Sequence, residues 1–231
     1  MSYLSLKEEL IGLGSKKLSD FTGKLTRSGY PVLGVRVPDI IKIAKKAAKS
    51  EPQCVLDAKP EYLEEVVLKG AVIAFMKIEE KERIRLFDKY TEYVDDWIAC
   101  DVPMSKYNCK SQLYFDSMMS WLDCSFPFKV RCAMIALMHN FADSQHIPQI
   151  LNKLRDIDYG NYYVMMGGAW LLSVIYLKDK DGVMEIINDV AIDYTLRLKT
   201  ISKLRDSFRL SKEDKDELKL IAQAIKESKV I

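Results

Sequence analysis

The sequence predicts an all-α protein built as a curved stack of antiparallel helix pairs. Apolar residues recur with helical period almost everywhere, no convincing run alternates apolar and polar residues, and successive helices are joined by short connections. With 231 residues, 48% of them apolar, the chain can bury a sizeable core. Only 7 Pro and 10 Gly leave little room for disordered linkers, so order is expected nearly end to end.

In chain order, helices are expected over 3–13, 16–28, 38–49, 60–77, 80–93, 111–122, 127–140, 144–155, 160–177, 181–189, 194–208 and 212–228. A further short helix carries Trp97 to Asp101 and ends at Val102-Pro103. Pro38 suits a first helical turn, Ser50-Glu51-Pro52 breaks the helix before it, and Pro60 opens the next. Ser211 with Asp214 caps the last helix. In 60–77 the apolar set Leu63, Val66, Val67, Ile73, Ala74 and Phe75 is wider than one stripe, which predicts a helix packed on two sides. Helix pairs recur at roughly 35–45 residues, the period of HEAT or armadillo units, which bury their apolar faces by stacking on neighbours. A globular bundle of the same helices is the alternative. No domain boundary is visible, so a single HEAT-like domain is expected over 1–231.

No stretch approaches the roughly 18 uncharged apolar residues that a membrane span needs. The start, MSYLSLKEELIGLG, is too acidic for a signal peptide, and a cytoplasmic protein is expected. Cys54, Cys100, Cys109, Cys124 and Cys132 follow no disulfide or zinc spacing and read as small buried hydrophobes. There is no GxSxG, Walker A, HExxH or GxGxxG motif, and the two histidines are His139 and His146, which makes Ser-His-Asp or zinc hydrolysis improbable. His139, in MIALMHNF, reads as a core or edge histidine.

The net charge of +2 is unevenly spread. Residues 1–50 carry ten Lys/Arg against four Asp/Glu, 51–192 carry fifteen against twenty-two, and 193–231 carry ten against seven. Basic ends on a curved stack could hold a polyanion, although a solvated charge face explains such patterns as well. Lys42, Lys45, Lys46 and Lys49 form a cationic helix stripe. Near the other end Leu198, Ile201, Leu204 and Phe208 define an apolar face that leaves Lys199, Lys203, Arg205 and Arg209 toward solvent.

One constellation could carry chemistry. Trp97 and Asp101, four residues apart, share a helix face and put an indole beside a carboxylate. The bland reading is that Trp97 packs in the core and Asp101 caps a helix starting after Pro103. Arg131 interrupts the apolar run FKVRCAMI, where a guanidinium needs a carboxylate or phosphate partner. Trp170, in YYVMMGGAWLL, is a second large aromatic beside very small residues that allow close approach.

With YPVLGVRVP leading into IIKIAK, the Trp97 and Asp101 pair, Arg131, the Tyr162 to Leu172 helix and LRLKTISK, the chain resembles the AlkD-type DNA alkylation repair family over nearly its whole length. The resemblance implies a HEAT-like superhelix that removes alkylated purines by cleaving the N-glycosidic bond, with no metal or dissociable cofactor. It also implies a monomer acting on duplex DNA, alkylated or branched, with the base left in the stack. Trp97, Asp101, Arg131 and Trp170 match the family's site positions. Asp101 would stabilise the oxocarbenium-like state and position water, Trp97 and Trp170 would face the cationic sugar, and Arg131 would hold a phosphate. Lys42, Lys45, Lys46, Lys49, Lys199 and Lys203 would meet the DNA backbone.

The closest likeness is to a compact branch of that family, and Met165 stands where relatives there often have Lys. Two functions of different class therefore remain: a glycosylase, or a non-catalytic module that binds DNA or protein. An open Asp101 in a basic groove favours the first; a buried Asp101 favours the second.

Overall fold

The computed structural model describes residues 2–228. Of the single domain expected over 1–231, Met1 and residues 229–231 lie outside the described residues. The chain divides into two compact units, Met1–Ser117 and Met118–Ile231. Fourteen α-helices and no strand occur among the described residues. None of these helices is long and apolar enough to cross a membrane.

The first unit comprises α1 (Tyr3–Leu13), α2 (Lys16–Leu25), α3 (Val37–Ser50), α4 (Pro52–Asp57), α5 (Leu63–Phe75), α6 (Glu80–Tyr90), a 3₁₀ turn at Thr91–Tyr93 and α7 (Trp97–Lys106). The helix α8 (Gln112–Trp121) spans the division. The second unit continues with α9 (Pro127–Asn140), α10 (Ile147–Leu154), α11 (Tyr162–Ile175), α12 (Lys180–Asn188), α13 (Tyr194–Asp206) and α14 (Lys212–Glu227). In the first unit α3, α5 and α7 pack side by side, with α4 and α6 against α5. In the second, α9, α11 and α13 form the corresponding row, with α10 and α12 against it. Consecutive helices thus bury their apolar stripes on one another, the packing of a helical repeat.

Helix α5 is the centre of the first unit, buried from Leu63 to Ala74 and packed on two sides as its apolar width predicts. Two carboxylates are buried with it. Glu65 accepts from the N–H groups of Glu61 (2.7 Å) and Tyr62 (3.0 Å) and from the Tyr3 hydroxyl (2.6 Å), which closes the N-terminus of α5. Glu64 accepts from the N–H groups of Leu33 (2.9 Å), Gly34 (2.7 Å) and Val35 (3.2 Å) and so holds the loop before α3. Gly34 sits at φ +81°, and a Cβ there would lie 2.3 Å from the Ser15 carbonyl oxygen, so only glycine fits.

Buried cations close helix C-termini in the same economical way. Arg83 donates from Nη2 to the Met76 carbonyl (2.6 Å) and from Nη1 to that of Ile73 at the end of α5, Lys69 donates to Leu56 and Ala58 (2.7 Å each) at the end of α4, and Arg197 donates to Ile187 (2.6 Å) in α12. Burial pushes the Lys69 ammonium below the usual lysine range.

Several expectations are corrected. α5 starts at Leu63 rather than Pro60, because the segment before it is extended and Leu63 N–H bonds the Pro31 carbonyl (3.0 Å). Pro52 not only breaks α3 but opens α4, a helix that was not expected. Cys100 and Cys132 are buried, whereas Cys54, Cys109 and Cys124 are half-exposed because they lie in or beside short helices and turns. Phe208 is fully exposed instead of buried, since α13 ends at Asp206 and the helical face stops there. Ser211 does cap α14, accepting from Asp214 N–H at 3.0 Å, and that hydroxyl together with Lys180 holds the Asp214 carboxyl below its ordinary range.

A candidate DNA-repair site

Helix α7 carries Trp97 and Asp101. It does not end at Pro103 but runs through it to Lys106. Proline removes the N–H that would bond the Ala99 carbonyl, and the Tyr90 hydroxyl takes that acceptor at 2.7 Å. Room for the ring comes from Gly70 of α5, where a Cβ would lie 2.5 Å from Pro103 Cγ and 2.6 Å from Tyr90 Cζ. Tyr90→Phe is expected to cost about 1–2 kcal/mol by leaving a buried carbonyl unpaired, and the urea midpoint of the variant checks it.

Asp101 therefore lies inside a helix that continues past Pro103 rather than ahead of one that starts there. The N-cap of α7 is Asp96, fully buried, which accepts from the N–H groups of Ile98 (3.1 Å) and Arg27 (3.0 Å). Asp95 accepts from the Ser28 hydroxyl and the Gly29 N–H, both at 2.7 Å. Trp97 is half-buried and donates from Nε1 to the Leu25 carbonyl at 3.2 Å. Three consecutive residues, Asp95, Asp96 and Trp97, thus tie the α2–α3 connection to the start of α7. One turn on, Asp101 lies on the Trp97 side of the helix and is 9% exposed. Of the two arrangements considered for this carboxylate, the buried one is found.

In the second unit Arg131 is buried in α9, and its Nη1 donates to the Tyr163 carbonyl at 3.0 Å. The glycines of α11 do allow close approach, but to the protein's own side chains. A Cβ on Gly168 would lie 2.7 Å from the Tyr159 ring, and one on Gly167 would lie 3.1 Å from Met134 Sδ and 3.5 Å from Arg131 Cγ. Met165 is buried in the same helix. Trp170 is half-buried and opens, with His139 and Lys203, on a cleft of about 450 Å³.

The basic stripes differ in detail. Lys42, Lys45, Lys46 and Lys49 are all exposed on α3, opposite the buried Ile40, Ile43, Ala44 and Ala47. Lys45 lies 5.2 Å from the centre of the Phe75 ring, and Lys46 is 3.7 Å from Glu9. On α13 Lys199 is exposed, whereas Lys203 is half-buried at the cleft.

A family model described as DNA alkylation repair enzyme matches residues 6–189. The chain belongs to the DNA alkylation repair enzyme family. No curated protein matches it. The stretch that matches the DNA alkylation repair family includes α7, Arg131 and Trp170 and stops before α13, so Lys199 and Lys203 lie outside it. Asp95 and Asp96 were missed in the sequence, although two acidic residues directly before a helix are an N-cap signal. The Trp170 cleft is also lined by Arg209, one of the cations expected toward solvent, and by Asp206, which carries no such signal.

Proposed function

We propose that this member of the DNA alkylation repair family is a DNA glycosylase that releases N3- and N7-alkylated purines from duplex DNA. The observation that carries the proposal is the Trp97 and Asp101 pair, one turn apart on a helix whose start is held by Asp95 and Asp96. Membership of a DNA alkylation repair family supports the same reading.

An alkylated purine of this kind is already cationic. When the C1′–N bond breaks, the base takes the bonding pair and leaves neutral, so no acid is required to protonate it. Positive charge passes to the deoxyribose, water adds at C1′, and its proton goes to solvent. The demand on the protein is a negative charge and electron-rich faces beside the sugar, roles that fit Asp101, Trp97 and Trp170. Arg131 is assigned to a phosphate beside the lesion. Lys42, Lys45, Lys46, Lys49, Lys199 and Lys203 are assigned to the backbone. Replacing Lys42 and Lys49 together with alanine is expected to weaken duplex binding and to reduce the slope of log K against log salt by about 1–2. A titration at several salt concentrations checks it.

A second reading has one observation in its favour. Asp101 is only 9% exposed, which favours a non-catalytic DNA-binding module of the same family. The deciding experiment is single-turnover release of N3-methyladenine and N7-methylguanine from alkylated duplex DNA. Release above background supports the glycosylase, and none, from protein that binds the duplex, leaves the binding module.

A further inference from the structure

The Trp97 indole hangs on a carbonyl that the core does not hold. Helix α2 ends at Leu25 and buries none of its residues. Beneath it lies an apolar space of about 320 Å³, lined in part by Leu18, Thr22, Val35 and Ile98, so little packing fixes the helix. Leu25 is in the last turn of α2, where backbone carbonyls have no partner within the helix, and its oxygen accepts from Trp97 Nε1. That N–H is the one polar group of the side chain, so this bond fixes the rotation of a half-buried ring. The place of the Leu25 carbonyl is set instead by the residues that follow it. Arg27 N–H donates to Asp96 (3.0 Å), while the Ser28 hydroxyl and Gly29 N–H take one oxygen each of Asp95, both at 2.7 Å. The Ser28 hydroxyl in turn accepts from Tyr30 N–H (3.0 Å), and residues 27–30 form one hydrogen-bonded strap at the start of α7. The two carboxylates differ in one respect. Asp96 also caps α7 through Ile98 N–H, whereas the hydrogen bonds of Asp95 among the described residues all go to the strap.

We propose that Asp95 is a positioning residue for Trp97: through Ser28 and Gly29 it fixes the Leu25 carbonyl, and that carbonyl sets which face the indole turns outward. The inference rests on the reading of Trp97 as the aromatic face beside the sugar of an alkylated nucleotide. Asp95 acts through the strap and one carbonyl, not on the reacting atoms. A cation–π contact requires the ring face to be turned to the cation within about 6 Å, so an indole freed to rotate loses it. Asp101, one turn further along α7, keeps its place when that happens. The loss therefore falls on the rate and is smaller than the loss of the Asp101 charge. Ser28 separates position from charge, because its hydroxyl can be removed with the Asp95 carboxylate left intact.

The test compares the full chain with Asp95→Ala, Ser28→Ala and the double variant, by NMR of the indole N–H groups and by single-turnover release of N3-methyladenine from alkylated duplex. The chain has three tryptophans, and Trp97→Phe assigns the signal that matters. In Asp95→Ala the Trp97 signal is expected to move and its proton to exchange faster with solvent, with Trp121 and Trp170 unchanged. Release is expected to fall by about 10–10²-fold, the cost of a misplaced group, with duplex affinity within about threefold. Ser28→Ala is expected to move both readouts in the same direction, and the double variant to be no worse than Asp95→Ala, because the two side chains form one link. An unmoved Trp97 signal in Asp95→Ala overturns the proposal. So does a moved signal with release at the wild-type rate. A loss of rate in Asp95→Ala that Ser28→Ala shares in no part overturns it too, since the charge and not the position is then responsible. Wild-type protein that releases no base sinks the glycosylase instead. The link is then judged by the indole signals alone: movement of Trp97 in both variants leaves it standing, and no movement removes it. If Asp95→Ala fails to fold, Ser28→Ala carries the same two readouts, because Asp95 still bonds Gly29 there.

Discussion

In Asp101→Asn protein, single-turnover release of N3-methyladenine and N7-methylguanine from alkylated duplex is expected to fall by about 10²–10³-fold, the usual cost of removing one preorganised electrostatic group from a transition state. The substitution keeps the shape of the side chain and removes only its charge. In the ground state the positive charge is on the base; in the transition state it is on the sugar, and a fixed anion beside C1′ stabilises the second more than the first. The loss should therefore fall on the rate, with duplex affinity changed by less than about threefold. Asp101 is nearly buried, so a thermal melt accompanies the assay. A fall in rate with an unshifted melt assigns the effect to chemistry, and an unchanged rate removes Asp101 from the mechanism.

The largest stability effect is expected at Glu64. Glu64→Ala strips the acceptor from three backbone N–H groups, those of Leu33, Gly34 and Val35, two of which are buried with the carboxylate. Leaving a buried donor without a partner costs about 1–3 kcal/mol, so the two buried N–H groups together put the loss at about 2–6 kcal/mol. The loop's other bonds are made by its carbonyls, Leu33 and Gly34 accepting from Ser15 N–H (3.2 Å each) and Val32 from the Ser19 hydroxyl (2.7 Å), and these supply no acceptor for the three N–H groups. Chemical denaturation with hydrogen exchange of the 33–35 amides checks this. A loss under about 1 kcal/mol, or exchange protection that survives, would mean that packing of Val35 and Pro38 holds the loop instead.

These two carboxylates also mark where sequence reasoning reaches and where it stops. The motif YPVLGVRVP carries the resemblance to the repair family, and its physical content is the Glu64 clamp together with the left-handed Gly34. Glu64 itself gives no sign of this in sequence, since an acidic residue in the first turn of a helix is ordinary. Trp97 and Asp101 are legible as a pair because the helical period is local. The helix that holds them was cut short at Pro103 because proline normally ends a helix, and the rescue by Tyr90 and Gly70 comes from two other helices. Arg131 was expected to need an anionic partner; a carbonyl of α11 takes one of its donors, a contact 32 residues away in the chain.

The sequence alone determined the all-α class, nearly every helix and its buried stripe, the exposed lysines of α3 and the identity of the family, because each depends on local period, composition or motif. Only the tertiary structure decided that Asp101 is nearly buried, that the α11 glycines admit Tyr159 and Arg131, and that Phe208 is exposed. The tertiary structure also decided that Lys203, Asp206 and Arg209 share one cleft with Trp170. Those facts depend on which residues distant in the chain fill the space around a side chain, and a helix's own periodicity carries no information about its neighbours.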